Sequence, residues 1–151
     1  MTGWVLAWDG SPSNLDATKH GVGSRFRWSM GRNFSPAEAP QPDEPYLLWR
    51  ADYRAKTQIV VSQGVVVRGQ YTLQGTRFLH LRVEQAVPVT VPRTVLHADD
   101  VLTDKGSFVD CGIFDSKRRN RGKNPYRLSD REWHSLAAIV ARYAAPTGGM
   151  P

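Results

Sequence analysis

Hydrophobic positions along this chain recur with two periods. Up to Val91 they alternate with polar ones or form short apolar blocks, as strands do; after Ser129 they recur every three to four residues, as one face of a helix does. Trp4 to Trp8 (WVLAW) is a short apolar run ended by the turn dipeptide Asp9-Gly10, and it reads as a first strand. Tyr46 to Arg50 (YLLWR) is a second strand candidate. Gln58 to Arg68 (QIVVSQGVVVR) reads as strand, a small break at Gln63-Gly64, and more strand. Phe78 to Val91 carries Leu79, Leu81 and Val83 in strict alternation, the period of a half-buried strand.

The clearest helix lies near the end. Ser129 is a good N-cap and Glu132 follows three residues on, a capping box. Trp133, Leu136, Ala137 and Val140 then share one face, with Tyr143 just beyond. Asn14 to His20 predicts a short helix capped by Ser13, and Val95 to Leu102 a short helix or turn. Lys105 to Phe114 reads as irregular or a short strand. Residues 34 to 45 hold four of the ten prolines and read as an irregular loop. Several short strands with a few helices predict an α+β fold, a small barrel with flanking helices. Residues 1–143 read as one domain and 144–151 (AAPTGGMP) as a linker or frayed tail, so the chain is expected to be the front module of something longer.

Composition narrows the function. A chain of 151 residues fits one domain with a real core. Its 20 Lys and Arg against 14 Asp and Glu leave a net charge of +6, which attracts phosphate. The lone Cys111, in an apolar stretch, excludes an internal disulfide framework and a Cys-rich zinc site, and reads as a buried, inert thiol. The absence of an apolar run of about 18 residues predicts no transmembrane helix. The opening residues show no basic region followed by an apolar run, so no signal peptide is expected and the compartment reads as cytoplasmic. His20, His80, His97 and His134 show no metal-ligand spacing, and neither a P-loop nor a complete G-x-G-x-x-G is present, so no cofactor or metal is expected.

Candidate chemistry centres on residues 24–33 (SRFRWSMGRN), where basic and aromatic residues interleave. Arg25, Arg27 and Arg32 bring three guanidiniums suited to phosphate, and indole rings stack on bases. In an extended chain Arg25, Arg27 and Ser29 share one face, with Phe26 and Trp28 turned the opposite way. The alternative is that Phe26 or Trp28 plugs the core and the arginines are simply solvated. Trp49-Arg50 suits a pocket wall with a cationic rim, or a core Trp. Trp4 and Trp8 face one side of the first strand, and Asp9 at its end is placed either to accept a hydrogen bond from the exocyclic amine of cytosine or merely to make a turn. Lys117, Arg118, Arg119, Arg121 and Lys123 form a dense basic run that reads as a phosphate-gripping loop. Asp115-Ser-Lys117 matches the D-x-K end of a nuclease metal site, with Asp99, Asp100 or Asp110 as the near acids, but that triplet is common by chance. The catalytic reading is therefore weaker than the binding one.

The order of these motifs resembles the EVE domain family, within the PUA-like superfamily that also contains the YTH and ASCH domains. The resemblance runs over most of the chain: WVLAW, then RFRWSMGRN against the family's R-W-S-x-G-R pattern, then YLLWRADYRAKTQIVVSQGVVV, then NPYRLSDREWHSL. It implies a pseudo-barrel with a pocket for one nucleobase and recognition of modified bases, often 5-methylcytosine or 5-hydroxymethylcytosine in DNA. In bacteria similar domains sit in front of an HNH-type nuclease in modification-dependent restriction. Trp28, Ser29, Arg32 and Trp49 then become pocket candidates by position, with Trp8 and Asp9 added on chemical grounds. Arg25, Arg27, Arg50 and the 117–123 run would hold the backbone. Base flipping is the expected mechanism, at a few kcal/mol for extrusion. The competing expectations are an RNA- or N6-methyladenine-binding PUA-like module, a small metal-dependent nuclease, and a protein-interaction module.

Overall fold

The computed structural model describes residues 3–7, 21–29, 39–52, 54–103 and 126–144. Seven strands and two helices follow in the order β1 (Gly3–Ala7), β2 (Arg25–Ser29), β3 (Pro45–Asp52), β4 (Thr57–Leu73), β5 (Thr76–Gln85), β6 (Val89–Pro92), α1 (Arg93–His97), β7 (Tyr126–Leu128) and α2 (Asp130–Ala144). They make an α+β fold around one mixed sheet with strand order β2-β5-β4-β3-β1-β7, and β6 pairs with β4 outside that path. Among the described residues only β1 and β3 run parallel. The sheet is not closed into a barrel, contrary to the sequence expectation: among the described residues β2 pairs with β5 and β7 with β1, and no pairing joins these two ends.

β4 is the spine, at 17 residues. Its first half pairs with β3 on one side and β6 on the other; its second half pairs with β5. The break expected at Gln63-Gly64 is a register shift inside this one strand. Gly64 is required there, because a Cβ would collide with the backbone carbonyl of Arg82. The β4–β5 hairpin turns on Gln74-Gly75, both at positive φ (50° and 80°), the two-residue connection whose twist matches the strands. The stretch expected as one strand from Phe78 to Val91 is two, because the chain leaves β5 after Gln85 and joins β4 elsewhere as β6.

Side-chain alternation, reset at the bulges of β4, divides the interior into two cores, one on each face of the sheet. Trp4, Leu6, Phe26, Trp28, Tyr46, Leu48, Val61, Val66, Leu79, Leu81 and Val83 form the inner core. Val5, Leu47, Trp49, Val60, Val89 and Val91 project to the outer face, where Leu96, Leu102, Leu136, Ile139 and Val140 complete a second core. Tyr46 buries its hydroxyl against Ser62 Oγ at 2.7 Å, and burial pushes its pKa up to about 12.

The capping box at α2 forms as expected. The Ser129 backbone N–H donates to Glu132 Oε1 (3.0 Å), and the Glu132 backbone N–H donates to Ser129 Oγ (3.2 Å). The buried face of α2 is Leu136, Ile139 and Val140, with Trp133 partly buried; Ala137 is exposed. Trp133 fits because β1 starts on Gly3, where any Cβ would strike its indole ring. No helix of the described residues is long and apolar enough to cross a membrane. The helix expected over Asn14 to His20, the stretch from Lys105 to Phe114, Cys111 and residues 145–151 lie outside the described residues.

Candidate nucleic-acid interface

Alternation sorts β2 cleanly. Phe26 and Trp28 stand opposite Leu81 and Leu79 and belong to the inner core; Arg25, Arg27 and Ser29 stand opposite Arg82, His80 and Phe78 on the outer face. The outer residues of β5 are thus Phe78, His80 and Arg82, which alternate with the buried Leu79, Leu81 and Val83. β4 adds Arg68 opposite His80 and Tyr71 opposite Phe78. Three residues apart, these two would face opposite ways in a regular strand; a register shift between Arg68 and Tyr71 turns both to the same face.

The result is a patch across three strands that lie about 4.8 Å apart. It holds the arginines Arg25, Arg27, Arg68 and Arg82 and the rings of Phe78, His80 and Tyr71. Arg68 lies with its guanidinium carbon 4.0 Å from the centre of the Tyr71 ring, and Arg27 lies 4.9 Å from that of Phe78, both within cation–π range. Tyr71 packs on Phe78 (5.8 Å between centroids) and edge-on to His80 (5.2 Å), and its hydroxyl is 3.0 Å from His80 Nε2. Partial burial, then the positive charges of Arg68, Arg27 and Arg25, hold the imidazole below its ordinary pKa. Arg82 is drawn toward Glu84 at 3.5 Å, an exposed pair of little energetic weight. Arg25, Arg27 and Arg68 are exposed. Together these groups offer bidentate phosphate donors between flat stacking surfaces.

Beside this patch, residues 39–44 run along the second half of β4. The backbone N–H of Asp43 donates to the Val66 carbonyl (2.8 Å) and that of Val66 to the Glu44 carbonyl (2.9 Å), a ladder that extends ahead of the start of β3. The Glu44 carboxylate accepts from the Gln41 backbone N–H (2.7 Å) and the Trp4 indole N–H (3.1 Å). Between this pinned segment and β4 lies a cleft of about 370 Å³, with Ala39, Gln41 and Pro42 on one wall and Arg68 to Tyr71 on the other.

The residues singled out from sequence separate in the fold. Arg25, Arg27 and Ser29 stand together on the patch. Trp28 and Trp49 are each 1% exposed and belong to different cores on opposite faces of the sheet, so they do not wall one pocket. Trp28 keeps a buried indole N–H with no acceptor among the described residues. Arg50 is exposed but alternates with Trp49 and stands opposite Ile59, which packs on the inner core, so it points away from the patch. Trp8, Asp9, Arg32, Lys117, Arg118, Arg119, Arg121 and Lys123 lie outside the described residues, as do Asp110 and Asp115. Asp99, a candidate acid for a nuclease centre, accepts the backbone N–H groups of Val101 and Leu102 (3.0 Å each) and serves as a turn cap.

Sequence reasoning missed Arg68, Tyr71, Phe78, His80 and Arg82. For β5 the signal was present: the polar phase of the same alternation that marks Leu79, Leu81 and Val83 spells Phe-His-Arg. For Arg68 and Tyr71 no such signal exists, because a bulge decides their facing. Comparison with known proteins finds no matching family model, no matching curated protein and no matching solved structure.

Proposed function

We propose that this protein binds nucleic acid, and that the outer face of β2, β5 and the second half of β4 takes the strand. The single observation that carries this reading is the coincidence on one sheet face of four arginines and three rings, two of the rings already capped by guanidiniums. Guanidiniums grip phosphates bidentately, and aromatic or guanidinium planes stack on bases. A net charge of +6 steers the polyanion toward it. In this reading the domain binds and does not cut.

The narrower form follows the resemblance to EVE domains: a PUA-like reader of DNA carrying 5-methylcytosine or 5-hydroxymethylcytosine, which flips the base and serves a modification-dependent restriction system, with a nuclease domain as its partner. Trp28 supports it. Its buried, unmatched indole N–H sits at the end of β2, in the Arg-Trp-Ser stretch that leads toward Arg32. A base pocket at that place would be built on Trp28, without Trp49, which lies on the opposite face of the sheet.

Fluorescence anisotropy with labelled oligonucleotides over a salt series tests the general reading. The double variant Arg27→Glu/Arg68→Glu is expected to lose on the order of a hundredfold in affinity at low salt and to flatten the log K against log salt slope by about 2. Unchanged affinity and slope would overturn it. Matched duplexes bearing cytosine, 5-methylcytosine, 5-hydroxymethylcytosine or N6-methyladenine test the narrower form; equal affinity for all four removes it and leaves general binding.

A further inference from the structure

We propose that the cleft between residues 39–42 and β4 is a subsite for one unstacked nucleobase bearing an exocyclic amine, taken from a single strand laid across the arginines. The proposal rests on the nucleic-acid reading above and adds a base-selective site and a strand preference to it.

Place comes first. Arg68 and Tyr71 belong both to the patch and to the cleft wall, so a strand on the patch passes the mouth of the cleft. Its volume of about 370 Å³ falls at the lower end of ligand pockets, roughly 300–1,000 Å³. The wall opposite β4 is held rigidly by Glu44, which ties Gln41 and Trp4 together, and by the donation of Gln41 Nε2 to the Ala39 carbonyl (3.0 Å). A preformed cleft needs little ordering when a ligand enters.

Chemistry comes second. Gln70 lines the cleft, and its Oε1 is buried with no hydrogen-bond partner among the described residues. A buried acceptor left unmatched is costly, and native structures rarely keep one without a reason. An acceptor repels phosphate and calls for an N–H. The Tyr71 ring and the apolar edges of Ala39 and Pro42 suit a flat heterocycle, and the Arg68 guanidinium beside the ring presents a further planar surface at the mouth. A base with an exocyclic amine offers an unhindered N–H to Gln70. Thymine has no exocyclic amine, and its ring N–H, recessed between two carbonyls, reaches a buried acceptor less freely. In a duplex the amine is occupied by pairing, so the site selects single strands.

The test uses short labelled oligothymidylates with a central thymidine or a central deoxycytidine, and the duplex of the latter, at fixed salt. The wild-type protein is expected to bind the cytosine-bearing single strand about tenfold more tightly than the all-thymine strand, and more tightly than the duplex. Gln70→Leu removes the acceptor and is expected to erase the cytosine preference while leaving binding of the all-thymine strand intact. Gln41→Trp, on the exposed rim, fills the cleft and does the same without touching the sheet. Arg25→Glu/Arg27→Glu, away from the cleft, is expected to weaken both strands equally. If the wild-type protein binds the two strands alike, or if Gln41→Trp keeps the preference, while the arginine variant still weakens binding, the subsite is wrong and the patch stands. If the arginine variant weakens neither strand, the nucleic-acid reading fails and the subsite with it.

Discussion

On the outer side of one continuous sheet, two halves carry opposite chemistry. The half built by β1, β3, β6 and the start of β4 presents Val5, Leu47, Trp49, Val60, Val89 and Val91, all buried, and α1 and α2 lie over it with Leu96, Leu136, Ile139 and Val140. The half built by β2, β5 and the end of β4 presents arginines interleaved with Phe78, His80 and Tyr71, and its guanidiniums stand in water. The same strand serves both: β4 contributes Val60 to the first and Arg68 and Tyr71 to the second. An apolar half has to be covered, because exposed apolar area costs roughly 25 cal/mol per Å². A half carrying four guanidiniums resists a covering helix, because burying unpaired charge costs several kcal/mol per ion. On this face, stability resides in the covered half and the proposed recognition in the exposed one, so substitutions in each should report separately.

The largest expected separation comes from Leu136→Ala. Leu136 is fully buried on the sheet-facing side of α2, and its truncation should destabilise the fold by about 2–5 kcal/mol in chemical denaturation. In the same assay Arg27→Glu/Arg68→Glu should stay within about 0.5 kcal/mol of wild type, as exposed substitutions do. A comparable loss in both variants would break the division between the halves. Ser129→Ala removes one arm of the capping box and should cost about 1 kcal/mol, again with nucleic-acid affinity unchanged. A loss of affinity there would mean that the covered half also contacts the ligand.

The smallest effect is the most informative about the patch. His80 has its pKa lowered by partial burial and by Arg68, Arg27 and Arg25. Between its lowered folded pKa and its ordinary unfolded one, the unfolded chain binds more protons. Stability is therefore complete above the unfolded pKa and declines as pH falls through the folded one. A bound polyanion favours the imidazolium, so affinity should rise over the same descent in pH, and NMR titration should show the His80 pKa moving up when an oligonucleotide is added. A His80 pKa indifferent to the oligonucleotide would place the strand elsewhere.

Much of the covered half was legible along the chain. The capping box and the three-to-four-residue recurrence locate α2 to within a residue, since both depend on neighbours only a turn apart. WVLAW and YLLWR mark β1 and β3 because blocks of large apolar residues have few uses other than a buried strand. β7 went unread because three residues cannot establish a period, and it is held as a strand by its pairing with β1. The patch was half legible: alternation in residues 25–29 places two of its four arginines together, but which strand would lie beside them is not written locally.

The sequence by itself determined an α+β chain, a capped terminal helix, a basic balance of charge and the sorting of residues 25–29 into a buried and an exposed set. Local hydrogen bonding, side-chain alternation and composition are sufficient for each of these. Only the tertiary structure decided that Trp28 and Trp49 sit in different cores, and that the sheet stays open. It alone turned Arg68 and Tyr71 to one face and set them beside Phe78, His80 and Arg27. The reason is that strand neighbours distant in sequence, and a bulge that reverses facing by one residue, depend on pairing register, which no local pattern specifies.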